Sequence, residues 1–219
     1  MYAKLSERIK KTLGLESLPI AISFSTEAPE GVERMHGSAR LCEMLDKVRI
    51  EGESFSTVSE CHECDGGASS CGLRMMSESR KTGEFLVKLG LFGSKRAARR
   101  FLNSNPRIES GTVQVVSFSP LDKATFEPDV VVLICNAKQG MQIAEAAAYE
   151  SGRRITGITG PPICSAVVAA PFLTGEVIYS LGDAGARKYM KLKDEDIFIA
   201  IPAELLPGIV ENLGKVTLA

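Results

Sequence analysis

The segment from Glu60 to Leu73 concentrates side chains that can bind metals or act as nucleophiles. Its sequence, ECHECDGGASSCGL, contains three of the six cysteines and one of the two histidines of the chain. Cys61 and Cys64 form a C-x2-C pair, which lets two thiolates converge on one metal from a single turn. Cys71 follows after small residues that include two glycines. Such a segment can wrap around an ion or cluster and bring backbone N–H groups close to sulfur.

This spacing predicts a metal-binding loop, with an iron–sulfur cluster as the first interpretation and zinc as the second. The predicted ligands are Cys61, Cys64 and Cys71, with Cys42 as the fourth. Three cysteine ligands would leave an open iron position for sulfur transfer or substrate activation, whereas four would suit electron transfer or a structural role. Two alternatives remain open. The C-x2-C pair could be a redox dithiol with a lowered pKa, or the cysteines could only pack.

Length and composition favour a globular protein that does not depend on disulfides. The chain has 219 residues, of which 44% are hydrophobic and 24% charged, and it can bury a sizeable core. A net charge of -1 gives no reason to expect nucleic acid or an anionic membrane as partner, whereas a small-molecule or redox partner is compatible with it. The N-terminus lacks the apolar segment of a signal peptide, so we expect a cytoplasmic protein with reduced cysteines.

The order of strand and helix patterns predicts one α/β domain over residues 1–219, with a mixed central sheet flanked by helices. Asp129 to Cys135 reads DVVVLIC, an apolar run typical of a strand covered on both faces. Asn136 is expected to cap a helix that ends at Gly152. Cys135 is expected to pack as a small hydrophobe, with a position facing a site crevice at the strand end as the alternative. Further strands are predicted at 18–25, 112–118, 176–181 and 197–201.

Two other predicted helices bear directly on the cysteines. Ser38 is a plausible N-cap for a helix that continues to about Val48 and carries Cys42 near its apolar face. Cys71 is expected to begin a second helix, where the free N–H groups and the dipole would lower the pKa of its thiol.

A second candidate site, for an anion, lies between Ile155 and Ala170. Gly157 and Gly160 permit a close approach of the backbone, and the two prolines that follow suit the first turn of a helix with free N–H groups. Arg187 could hold a carboxylate or phosphate bidentately. These residues predict, as an alternative to the metal site, a metal-free protein that binds a small anionic molecule.

Cys164 lies in the first turn of that same predicted helix. A helix N-terminus favours thiolate, so we expect the pKa of Cys164 to be lowered. Because loops from distant parts of a chain gather at strand ends in α/β sheets, we also expect Cys164 to lie near the segment from Cys61 to Cys71, as a reserve ligand.

The last third of the chain resembles a known family. The segments PPICSA, TGEVIYSLGDAGAR and DEDIFIAIP follow one another in order, and PIAISFS and the residues around Cys42 and Cys71 are similar as well. This ordered set resembles the prokaryotic family of uncharacterised proteins called domain of unknown function 169. The resemblance covers both ends of the chain and supplies no catalytic residues.

Overall fold

Apolar and β-branched segments form a seven-stranded sheet in the computed structural model, which describes residues 1–216. The strands are β1 (Ile20–Ser25), β2 (Phe55–Thr57), β3 (Val115–Pro120), β4 (Val130–Cys135), β5 (Thr156–Gly157), β6 (Ile178–Ser180) and β7 (Ile197–Pro202). Their order in the sheet is β2-β3-β1-β4-β7-β6-β5. Neighbouring strands are antiparallel except β5 and β6, which are parallel. The predicted α/β class with a mixed sheet is confirmed.

Helices cover both faces of this sheet. They are α1 (Tyr2–Leu13), α2 (Leu41–Asp46), α3 (Asp65–Ser70), α4 (Glu78–Lys81), α5 (Glu84–Lys88), α6 (Lys95–Ser104), α7 (Ala137–Ser151), α8 (Ala170–Thr174), α9 (Ala184–Tyr189) and α10 (Leu206–Asn212). Two π-helical turns, Lys47–Glu51 and Ser165–Ala169, follow α2 and precede α8, and short 3-10 turns occupy Ser59–Cys61 and Ala203–Leu205. Within the described part of the chain, no helix is long and apolar enough to cross a membrane.

The sheet separates two apolar cores, because alternate side chains of a strand point to opposite faces. On β4, the side chains of Val130, Val132 and Ile134 enter the first core, whereas those of Val131, Leu133 and Cys135 enter the second. Residues of α2 and of the Ser165–Ala169 turn complete the first core, and residues of α1, α7 and α10 complete the second. Four other cysteines belong to the first core: Cys42, Cys61, Cys71 and Cys164. Cys135 is therefore on the opposite side of the sheet from them.

Two predictions about the cysteine-bearing helices are wrong. The helix predicted to have Ser38 as its N-cap is present, but Arg40 is the N-cap and the helix begins at Leu41, because the Glu43 carboxylate accepts the backbone N–H of Arg40 at 2.8 Å. Cys71 does not open a helix but follows the last residue of α3. The helix dipole at that end disfavours a thiolate, and burial raises the pKa of Cys71 to about 12.

Candidate functional site

Four cysteines from three separate parts of the chain converge at the first core. Cys42 is the second residue of α2, Cys64 and Cys71 flank α3, and Cys164 directly precedes the π-helical turn. Because α3 packs against both α2 and that turn, the three segments meet. We call Cys42, Cys64, Cys71 and Cys164 the four-cysteine group.

The thiols of this group influence one another electrostatically. The pKa of Cys164 lies well above its ordinary value, first because the thiol is buried and then because of the negative charges of Cys64, Cys71 and Cys42. Burial, followed by a smaller contribution that includes the charge of Cys64, raises the pKa of Cys42 to about 12. Interactions of this kind require short separations. The predicted position of Cys164 near the Glu60–Leu73 segment is confirmed, whereas its predicted thiolate character is wrong because burial outweighs the helix N-terminus.

Cys64 is the member of the group that reaches the surface. The exposed fractions of Cys71, Cys164 and Cys42 are 0%, 5% and 8%, whereas Cys64 is half-buried. The group is therefore a set of largely buried thiols, of which Cys64 alone is partly exposed to solvent.

The small residues between Cys64 and Cys71 form α3 rather than a flexible loop. A Cβ atom added to Gly67 would lie only 2.9 Å from the Cβ of Leu41, the residue before Cys42. Glycine at this position lets α3 lie directly against α2. Close packing of α2 against α3, and not chain flexibility, brings Cys42 near Cys64 and Cys71.

Asp65 fixes the start of α3. Its carboxylate accepts hydrogen bonds from the backbone N–H and the hydroxyl of Ser77, at 3.1 and 2.9 Å. The same oxygen lies 3.4 Å from Nε of Arg80, whose side chain is buried. These contacts hold the helix that separates Cys64 from Cys71.

His62 lies beside the group with one ring nitrogen free. The Thr57 hydroxyl donates to the carbonyl of Val116 at 3.0 Å, so at 3.1 Å it accepts a hydrogen bond from Nε2 of His62. Nδ1 then carries a lone pair, and it has no hydrogen-bond partner although it is buried. Burial, followed by the charge of Arg74, lowers the pKa of His62 to about 4. The ring is therefore neutral at pH 7.

Cys61 belongs to the same core as Cys42, Cys71 and Cys164, but it also reaches a different part of the surface. Its backbone carbonyl accepts the N–H of Ala39 at 2.9 Å, and it lines a separate surface cavity with Glu60 and residues 34–37. The role of Cys61 as a ligand stays a prediction.

The spacing of the thiols bears on the kind of metal centre that they could hold. Within residues 1–216, no set of three or more histidine, cysteine, aspartate or glutamate side chains is arranged to hold a single metal ion. Around one zinc ion the four ligands lie about 2.3 Å from the metal and close to one another. A cluster of several iron and sulfide ions is larger and needs its thiolates farther apart. A cluster on these cysteines and the zinc alternative both stay predictions.

The predicted anion-binding donors are used by the protein itself. The guanidinium of Arg187 donates to three backbone carbonyls, those of Lys193, Leu181 and Asp196, at 2.6, 3.0 and 2.5 Å. At the start of the Cys164 helix, the N–H of Ile163 donates to the Asp183 carboxylate at 2.7 Å. Anion binding stays a prediction, and these donors already hydrogen-bond to acceptors within the protein.

The two glycines of that candidate site lie against aromatic rings. A Cβ atom on Gly157 would lie 2.5 Å from the ring of Tyr179, and one on Gly160 would lie 2.7 Å from the ring of Phe101. Gly160 also has a φ of +103°, a conformation that favours glycine. Packing and backbone geometry therefore account for both glycines without a ligand.

Comparisons with known proteins agree with the sequence resemblance. The model of a family described as "Uncharacterised ArCR", domain of unknown function 169, matches residues 8–212. An uncharacterised protein of Methanocaldococcus jannaschii is 32% identical over 221 residues, which cover 96% of this chain and 94% of the relative. No solved structure matches the chain.

Proposed function

The chain belongs to the family called domain of unknown function 169, and we propose that it binds an iron–sulfur cluster through the four-cysteine group. The observation that carries this proposal is the convergence of four thiols from three chain segments on one largely buried position. Cysteine thiolates in a set of four are the common ligands of such clusters. We place this activity in the cytoplasm, where six reduced cysteines are expected.

The electrostatics of the group support a positively charged occupant. Cys42 and Cys71, with pKa values of about 12, are neutral thiols in the metal-free protein at pH 7. Cysteine binds metal as the thiolate, so cluster binding must release protons, and the iron ions must compensate for the buried negative charge. Without such an occupant, packing would be the only role of these four converging cysteines.

The half-buried Cys64 suggests how the bound cluster would act. When bound, an iron–sulfur cluster supplies one-electron chemistry or an iron that accepts a substrate atom. Cys42, Cys71 and Cys164 would hold the protected side, and the edge at Cys64 would face solvent. We propose electron transfer, or the handling of sulfur or of a substrate, at this edge.

Anaerobic purification tests the proposal. The purified protein is analysed for iron, acid-labile sulfide and zinc, and its visible absorption spectrum is recorded. The proposal predicts iron and sulfide in similar amounts, with absorption that is lost on exposure to air. Zinc without sulfide, or a protein that takes up neither metal after anaerobic reconstitution with iron and sulfide, would contradict it.

A further inference from the structure

The four-cysteine group has a second chemical capacity that requires no metal. Cys64 is the one cysteine of the six that is not buried, and buried thiols of the same group lie behind it. We infer that in the metal-free protein a hydroperoxide oxidises Cys64, and that Cys42 or Cys164 then closes a disulfide with it. This inference does not depend on iron binding.

The reaction balances as two thiols oxidised by one hydroperoxide. The sulfur of Cys64 attacks the O–O bond, becomes a sulfenic acid, and releases an alcohol, or water when the oxidant is hydrogen peroxide. The sulfur of Cys42 or Cys164 then attacks the sulfenic sulfur. An S–S bond forms, the S–O bond breaks, and the hydroxyl leaves as water with the proton of the second thiol. The two electrons that reduce the peroxide come from the two sulfurs.

Accessibility selects Cys64 as the first thiol to react. Cys61 and Cys135 are 2% and 3% exposed, and Cys135 lies in the second core on the opposite side of the sheet. Oxidation of thiols by a dissolved oxidant follows exposure. The buried thiols can therefore react only with a sulfur that already lies beside them.

Geometry restricts the partner of Cys64. Cys71 is at the far end of α3, and a helical rise of 1.5 Å per residue separates its Cα from that of Cys64 by about 10 Å. A disulfide requires Cα atoms closer than about 7 Å. Cys61, the other half of the C-x2-C pair, lines a surface cavity with Glu60 and residues 34–37 that Cys64 does not line. Cys42 and Cys164, on the two elements that pack against α3, are the remaining candidates.

Peptide mapping after oxidation tests this inference. The full-length protein is stripped of metal with a chelator under reducing conditions, freed of reductant and exposed to hydrogen peroxide. Free thiols are then alkylated, and the protein is digested for mass spectrometry. We expect a peptide that joins Cys64 to Cys42 or Cys164, two fewer free thiols, and full reversal by dithiothreitol. Cys135→Ala, the matched control, should give the same linked peptide.

A second variant separates the two chemical steps. In the double variant Cys42→Ala and Cys164→Ala, peroxide should still produce a sulfenic acid at Cys64, which dimedone traps and which otherwise proceeds to sulfinic acid. The inference is overturned if wild-type Cys64 stays reduced, if it accumulates as sulfinic acid at the rate seen in the double variant, or if it pairs with Cys61. Since iron plays no part in these measurements, their failure would leave the iron–sulfur proposal standing, and the reverse also holds.

Discussion

Replacement of Asp46 by asparagine should destabilise the protein strongly, because it breaks a buried ion pair that ties α2 to a distant loop. Asp46 Oδ1 lies 2.6 Å from Nε of Arg49, and its Oδ2 accepts the backbone N–H of Lys191 at 2.6 Å. Arg49 in turn donates to the carbonyl of Lys191 at 2.6 Å. Asp46 and Arg49 are only 8% and 7% exposed. The asparagine variant would leave the guanidinium buried without a counter-charge.

The expected loss follows from burial. Removal of one partner of a buried ion pair costs about 3–5 kcal/mol, whereas an exposed pair contributes about 0–1 kcal/mol. Lys47 and Glu51, a pair that begins one residue further along, lie 3.7 Å apart and are a matched exposed pair. Glu51→Gln should therefore change the free energy of unfolding by less than about 1 kcal/mol.

Urea denaturation followed by circular dichroism provides the assay. For Asp46→Asn the midpoint should fall by about 1 M or more, given slopes of about 1–3 kcal/mol/M. The double variant Asp46→Asn with Arg49→Met should recover part of the loss, because no charge is then left unpaired. A midpoint for Asp46→Asn that matches that of Glu51→Gln would refute the reasoning, as would a double variant less stable than the sum of the two single losses.

Two further predictions concern residues near the candidate site. In the unfolded chain His62 takes up a proton below a pKa of about 6.5, whereas in the folded protein it stays neutral down to about pH 4. The stability of the metal-free wild-type protein should therefore fall by up to roughly 3 kcal/mol as the pH is lowered through that range. His62→Gln, which keeps a donor to Thr57, should remove this part of the pH dependence, and identical slopes in the two proteins would contradict the assignment. Gly160→Ala should lower the thermal midpoint, at a cost of about 1–3 kcal/mol, because of its positive φ and the ring of Phe101; Gly208→Ala, with open space around it, is the control.

The sequence predicted the elements whose signals are local. The apolar run of β4 formed the expected central strand, and the Asn136 side chain accepts the backbone N–H of Gln139 at 2.9 Å, as an N-cap should. The helix then ends at Gly152 with a φ of +66°. Each of these features depends on residues within a few positions of one another, so the local sequence is enough to predict it.

The candidate site was only partly predictable, because it depends on contacts between distant segments. Two glycines, two serines and an aspartate have low helix propensity, so the segment after Cys64 gave no sign of α3, which packing against Leu41 stabilises. Proximity of Cys164 was predicted, but its burial, which decides its protonation, was not. The three carbonyls that accept hydrogen bonds from Arg187 belong to residues outside its helix, and no sequence pattern around Arg187 predicts these contacts.

The iron content of two single cysteine variants tests the central claim most directly. Cys164→Ala and Cys61→Ala remove side chains that are 5% and 2% exposed, so their packing costs are matched, and Cys135→Ala controls for loss of a buried cysteine elsewhere. Each protein is reconstituted anaerobically with iron and sulfide and analysed for both. We predict that Cys164→Ala loses most of its iron and sulfide, while Cys61→Ala and Cys135→Ala keep wild-type amounts. Full iron in Cys164→Ala, or loss of iron in Cys61→Ala alone, would contradict the four-cysteine group as the cluster site.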